Sequence, residues 1–264
     1  MKKILTIAGS DSSGGAGIQA DIKTITVHGM YAMSVITALT AQNTTGVTGI
    51  LEVPAEFVAK QIDAVFQDIR PDAVKIGMLS GREVMETVAE RLAFYRAEHI
   101  VLDPVMVATS GSSLLRDGTE TLLETLMPLA ELVTPNIPEG QALSGIRIEN
   151  SGDMARAAEW LGKKTGSAVL LKGGHLQEKA DDFLWKGEGG RWFVGKRIEN
   201  SNTHGTGCTL SSALACSLAA GRSLEESVER AKAYVAGAIA AGLDLGAGNG
   251  PLNHLYELDG CGYH

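Results

Sequence analysis

Cysteine is scarce in this chain of 264 residues, with only Cys208, Cys216 and Cys261. They form neither metal-ligand spacing nor a disulfide framework, which excludes a stapled mini-scaffold and suits a reducing compartment. Aromatic residues are few: three Trp, five Tyr and five Phe. No stretch approaches the ~18 consecutive apolar residues of a membrane span. Met1-Lys2-Lys3 and the run Ile4–Ala8 start like a secretory leader, but Gly9-Ser10-Asp11 breaks the run too early. Positive charge is in deficit, with 23 Lys and Arg against 31 Asp and Glu and a net charge of −8. Nucleic acid is therefore a poor main partner, although a local cradle for one small phosphate stays open. These absences lead to the expectation of a cytoplasmic protein without membrane attachment.

Glycine, in contrast, is abundant at 32 residues, well above the average of roughly 7%. Short apolar runs at 4–8, 34–39, 73–76, 100–102, 132–134 and 168–171 have the length and composition of strands buried on both faces. Helical patterns at 18–28, 55–69, 83–96, 120–126 and 154–164 alternate with them. In the second of these, Phe57, Ile62, Val65, Phe66 and Ile69 are expected on one buried face. This rhythm predicts an α/β fold with a mostly parallel sheet and helices on both sides. Residues 181–186 and 191–194 read as a small β-hairpin around Gly187-Glu188-Gly189-Gly190, followed by helices at 207–220 and 224–243. Without a linker or repeat, 1–264 is expected to be one domain, with 259–264 a frayed tail.

In a parallel sheet, ligands gather beyond the carboxyl ends of the strands. The first run ends in Gly9-Ser10-Asp11-Ser12-Ser13-Gly14-Gly15-Ala16-Gly17, which lets backbone approach a ligand closely or simply turns flexibly into a helix. It lacks both the Gly-Lys-Ser/Thr of a P-loop and the glycine spacing of a dinucleotide fingerprint. Near the far end, Asn202-Thr203-His204-Gly205-Thr206-Gly207-Cys208 runs into a helix marked by Leu210, Leu214 and Leu218. Its free N–H groups and positive dipole end suit an anion, such as a transferring phosphoryl group. A thiol in that first turn can have its pKa lowered, making Cys208 a candidate base; a small packed cysteine is the alternative. Cys216 is expected in the core, and His175 and His204, without matching partners in spacing, are assigned no chemistry.

Segment 202–208 resembles the anion-hole motif of the ribokinase-like superfamily, and most closely that of the hydroxymethylpyrimidine/phosphomethylpyrimidine kinases of thiamine biosynthesis. Segments 8–21, 40–44 and 75–79 agree in order, as do Asp103-Pro104-Val105-Met106, 134–139 and 171–175. The resemblance implies a ribokinase-like three-layer α/β/α fold, ATP and Mg²⁺ as cofactors, and a homodimer. It makes Cys208 the acceptor of the substrate hydroxyl proton, and Gly205, Thr206 and Gly207 the N–H donors to the phosphoryl group. Lys172, Asn136 and Thr203 would face the nucleotide, and Asp103 and Glu139 would hold Mg²⁺ through its waters. Read alone, Lys172 could be a snorkelling surface lysine, Asp103 part of a turn and Glu139 a helix-end charge. Gln42 would read a 4-aminopyrimidine, whose donor and acceptor complement a carboxamide. Gly9, Asp21, Met78 and Val105 would line the substrate or merely pack.

The expected activity is phosphorylation of 4-amino-5-hydroxymethyl-2-methylpyrimidine and of its monophosphate. A pyridoxine/pyridoxal kinase is the first alternative, since the same scaffold serves both. A non-catalytic vitamin or nucleotide sensor is the second.

Overall fold

A computed structural model describes residues 1–106, 117–174, 181–187, 189–195 and 198–258. The expectation about the tail at 259–264 lies outside those residues, as do His175 and Cys261.

Nine strands form one sheet in the order β3-β2-β1-β4-β5-β6-β7-β8-β9. They are β1 (Lys3–Asp11), β2 (Tyr31–Asn43), β3 (Gly46–Glu52), β4 (Ala73–Ile76), β5 (Ile100–Leu102), β6 (Leu132–Val133), β7 (Ala168–Leu171), β8 (Asp182–Lys186) and β9 (Gly189–Phe193). From β2 through β7 every pairing is parallel, while β3 and the β8–β9 hairpin extend the two edges antiparallel.

The helices are α1 (Gly17–Val27), α2 (Ala55–Asp68), α3 (Arg82–Phe94), α4 (Thr119–Thr121), α5 (Ile137–Ser144), α6 (Ser151–Thr165), α7 (Thr206–Ala219) and α8 (Leu224–Ala241). The short α4 continues as wider turns over Leu122–Leu126 and tighter ones over Met127–Leu129. No helix among the described residues is long and apolar enough to cross a membrane.

Strand alternation splits the core in two. Leu5, Ile7, Val74 and Ile76 pack with α2, α3, α5 and α6, whereas Ile4, Ala73, Val101 and Leu170 pack with α1, α7 and α8. Each fully buried Leu or Ile side chain contributes about 1.5–3 kcal/mol relative to exposure. Both layers of the predicted sandwich are therefore present.

Three expectations need correcting. The second strand is 13 residues long and pairs with β3, which the sequence reading did not include. In α2 the buried face is Ala55, Val58, Ile62 and Phe66; Phe57 is 54% exposed and Ile69 37%. A stripe through 58, 62 and 66 keeps the four-residue helical repeat, which Phe57 leaves by one step of about 100°. In the hairpin, Lys186 pairs with Gly189, so its turn is two residues shorter than expected.

Candidate active site

The sheet reverses its winding at β1, with β2 on one flank and β4 on the other. The carboxyl ends of β1, β2 and β4–β7 open on one side of this switch point, where open α/β sheets bind ligands. Two glycine loops meet there. The first joins β1 to α1 and is folded around Asp11, whose Oδ1 accepts from the Ser13 N–H (2.9 Å) and hydroxyl (2.8 Å). Its Oδ2 accepts from the N–H groups of Gly15 (3.1 Å) and Ala16 (2.8 Å). Gly17 closes the loop with φ +56, and a Cβ there would lie 2.3 Å from the Gly9 carbonyl oxygen, so no other residue fits.

The second loop, 202–205, leads into α7. Gly205 takes φ +86, and a Cβ on it would lie 1.9 Å from the Gly15 carbonyl oxygen. The two loops are thus in direct backbone contact. His204 bridges them as well, with Nε2 2.8 Å from Asp11 Oδ2 and its ring against Gly15. Although burial opposes the charge, this bond and those from Ser13 and Ala16 hold the Asp11 carboxyl far below the usual range. His204, given no chemistry from sequence, is therefore a structural member of the site.

No side chain caps α7 among the described residues; the Thr206 N–H turns back to the Thr203 carbonyl at 3.3 Å, which leaves the first-turn N–H groups of Gly207 and Cys208 toward the site. A Cβ on Gly207 would lie 3.1 Å from Asp103 Oδ2 and 3.5 Å from Lys172 Nζ. Lys172 Nζ donates to Asp103 Oδ1 at 2.8 Å, and the Thr134 hydroxyl donates to the same oxygen at 3.1 Å. Burial disfavours the Lys172 charge, but Asp103 and Glu139 more than restore it and its pKa is raised. Burial also pushes Glu139 up to about 7; Lys172 opposes the shift and Asp103 adds to it. A helix terminus, an ammonium and two carboxylates thus share one corner. Two carboxyl groups against one ammonium fit a divalent cation held through water, which needs only one or two protein carboxylates.

Several side chains carry a local duty besides the expected one. Asn136 and Glu139 form a reciprocal cap on α5: the Glu139 N–H donates to Asn136 Oδ1 at 2.9 Å and the Asn136 N–H donates to Glu139 Oε2 at 2.8 Å. The Thr206 hydroxyl donates to the Thr203 carbonyl at 2.7 Å, bracing the turn.

Asp21 does not line a substrate surface. It is fully buried, accepting from Thr6 Oγ1 (2.6 Å) and Lys75 Nζ (2.9 Å) at Oδ2 and from Ser212 Oγ (2.8 Å) at Oδ1. Lys75, also fully buried, alternates onto the α1–α7 side of β4 and has its charge held by Asp21 despite desolvation. The sequence signal was a lysine inside the otherwise apolar Ala73–Ile76.

Cys208 also departs from expectation. Burial pushes its thiol up to about 11, with the Lys75 charge and the Gly17 N–H pulling the other way and Asp21 and Asp103 adding to the rise. Burial is the largest of these influences, and its direction is opposite to the lowering expected of a thiol at a helix N-terminus. Cys216 is buried, as expected.

Beside the helix terminus, Ala38, Met78 and Val105 form a small apolar cluster apart from both main cores. Met78 Sδ would be 3.0 Å from a Cβ on Gly9, so the glycine admits that thioether close to the backbone. Gln42 stands at the rim, its main chain pinned by the Ser12 hydroxyl at 2.9 and 2.8 Å. A cavity of about 620 Å³ lined by Lys163, Trp185, Lys186 and Arg222 opens at the opposite end of the sheet and includes none of these residues.

The family model for phosphomethylpyrimidine kinase matches residues 11–253. The chain belongs to the phosphomethylpyrimidine kinase family. It is 52% identical over 258 residues to a thiamine biosynthesis bifunctional protein of Geobacter sulfurreducens, covering 97% of this chain but 53% of that protein. Against a hydroxymethylpyrimidine/phosphomethylpyrimidine kinase of Rhizobium meliloti the identity is 50%, covering 96% and 97% of the two chains. A solved phosphomethylpyrimidine kinase from Clostridium difficile superposes with a TM-score of 0.80 at 45% identity, over 89% of this chain and 98% of that one. An ADP complex of Bacillus subtilis pyridoxal kinase gives a TM-score of 0.90 at 34% identity, over 98% and 99%. The fold is ribokinase-like, as the motif resemblance implied.

Proposed function

We propose that this kinase moves the γ-phosphoryl group of ATP onto the hydroxymethyl oxygen of 4-amino-5-hydroxymethyl-2-methylpyrimidine, and then phosphorylates the monophosphate, in cytoplasmic thiamine biosynthesis. The observation that carries the reading is the corner where the Gly205-Thr206-Gly207 terminus of α7 meets Lys172 and Asp103 beside the Met78–Val105 wall. Family membership and the names of the full-length relatives support it.

The pyrimidine ring would lie against Met78 and Val105, with its amino edge toward Gln42. The α7 N–H groups and Lys172 would receive the charge that develops on the phosphoryl oxygens. Asp103 and Glu139 would hold Mg²⁺, which neutralises phosphate charge when bound. Cys208 would receive the hydroxyl proton. Only its thiolate form accepts a proton, and with the thiol pushed up to about 11 that form is a minor one near neutral pH. Asp21 and Lys75 support this floor from beneath.

A coupled ADP-release assay with the pyrimidine alcohol, its monophosphate and pyridoxal tests the proposal. Turnover of both pyrimidines with higher kcat/KM than pyridoxal is expected; preference for pyridoxal would overturn it. The pyridoxal kinase reading draws support from the structural neighbours, including a Staphylococcus aureus enzyme in complex with AMP-PCP and pyridoxal at a TM-score of 0.88. A non-catalytic sensor is disfavoured by the presence of every charged group of the corner. We also propose a homodimer, supported by the exposed pair Leu39 and Leu51 across β2 and β3 and tested by sedimentation.

A further inference from the structure

Gln42 ends in an amide whose oxygen and nitrogen exchange places by a half-turn about the last torsion. As placed, Oε1 lies 3.0 Å from Thr40 Oγ1 and Nε2 lies 3.4 Å from His204 Nε2. The surrounding protons choose between the two orientations. Asp11 receives four N–H or O–H donors from its own loop and carries its negative charge, so it can only accept. His204 Nε2, 2.8 Å from Asp11 Oδ2, must therefore hold a proton. An amide NH₂ facing that N–H would set donor against donor. On the other side, the Thr40 hydroxyl has a single proton and two neighbours at 3.0 Å, the Ser10 carbonyl oxygen, which can only accept, and the Gln42 terminal atom. An amide oxygen facing Thr40 would leave one of two acceptors without that proton. Both conflicts vanish with the amide oxygen toward His204 and the NH₂ toward Thr40.

We propose that Asp11 and His204 are positioning residues that fix the Gln42 amide in this orientation and so set the direction in which the substrate's amino edge is read. The free amide proton then lies on the Thr40 side and the free oxygen lone pair on the His204 side. A 4-aminopyrimidine fits with its ring nitrogen toward the former and its amino group toward the latter. Neither Asp11 nor His204 touches the substrate in this arrangement. Gly15 and Gly205 enforce it, since side chains there would displace His204 or separate the two loops. The proposal rests on the kinase reading and deepens it.

Two measurements on the full chain test it. In the wild-type protein, ¹⁵N NMR of the histidine rings is expected to find a proton on His204 Nε2; an unprotonated Nε2 overturns the proposal whatever the substrate proves to be. In kinetics, His204→Leu is expected to raise KM for the pyrimidine alcohol roughly tenfold, about one hydrogen bond's worth. KM for ATP is expected to stay within about twofold, and the preference over pyridoxal to fall. Because His204 acts through Gln42, the same change in a Gln42→Leu background is expected to add less than about twofold. Independent, multiplying losses, or a parallel rise in KM for ATP, would overturn the proposal. If the wild-type protein failed to phosphorylate the pyrimidine alcohol, the proposed function would fall, and the ring-proton result would still stand or fail on its own.

Discussion

Lys75 Nζ lies 2.9 Å from Asp21 Oδ2, and neither side chain has any exposure. The pair ties β4 to α1, and Ser212 extends the tie to α7 beneath the phosphoryl corner. Removing one partner of such a pair strands a buried charge. Lys75→Met is expected to lower stability by about 3–5 kcal/mol in urea unfolding, and the double change Lys75→Met with Asp21→Leu to recover much of it. An unchanged midpoint would show that the pair does not hold the floor.

Cys208 and pH give a second prediction. With the thiol at about 11, each pH unit gained below that value multiplies the thiolate fraction by about ten. If the thiolate accepts the substrate proton, kcat/KM rises with that slope through the alkaline range, and Cys208→Ser both flattens the profile and lowers kcat by about 10²-fold. A flat wild-type profile would leave the cysteine a shape-filling role.

Glu139 links cation binding to protons. Its carboxyl, raised to about 7 by burial, Asp103 adding to the rise, is partly protonated near neutrality. Binding of Mg²⁺ with ADP is expected to expel that proton, seen as a buffer-dependent calorimetric heat that Glu139→Gln abolishes. The sign for stability follows from the same shift. A raised carboxyl favours the folded state fully below its unfolded value, and that contribution is lost as pH rises through about 7. Without Mg²⁺, Glu139→Gln should therefore gain thermal stability relative to wild type at about pH 8 and not at about pH 4.

The contact between the two glycine loops makes a fourth prediction. Gly205→Ala places a methyl 1.9 Å from the Gly15 carbonyl oxygen in a left-handed backbone. The α7 terminus must then shift, and kcat is expected to fall by about 10²–10³, as when an oxyanion donor is lost. Circular dichroism of the variant separates this loss from unfolding, and near-wild-type turnover would mean the terminus does not hold the phosphoryl group.

Much of this was legible in sequence because buried parallel strands announce themselves. Ala168–Leu171 is apolar on both faces and ends where Lys172 begins, and Ala73–Ile76 is apolar but for the buried Lys75. The edge strand β3 was not legible, because Gly46–Glu52 is largely solvent-facing and has neither alternation nor an apolar run. Helix α5 is too short for a periodic signal and announces itself only through the Asn136–Glu139 cap. His204 carries no signal in sequence because its partner Asp11 lies 193 positions away, a distance that no spacing rule reaches. The direction for Cys208 is not legible in sequence, because the helix terminus can be read there, whereas the burial that dominates, with Asp21 and Asp103 adding to it, arises only in the fold.

The stretch after α8 holds the pocket shut from outside the sheet. The Gly250 carbonyl accepts the His204 N–H at 3.0 Å, the Gly248 N–H donates to Thr44 Oγ1 at 3.2 Å, and Asn202 Nδ2 donates to Asp244 Oδ1 at 2.9 Å. These bonds join the loop before α7 to the turn beside Gln42, so the stretch after α8 acts as a clasp across the mouth of the pocket. A single proteolytic cut within 244–250 leaves every residue of the corner in the chain and undoes the fastening between its two sides.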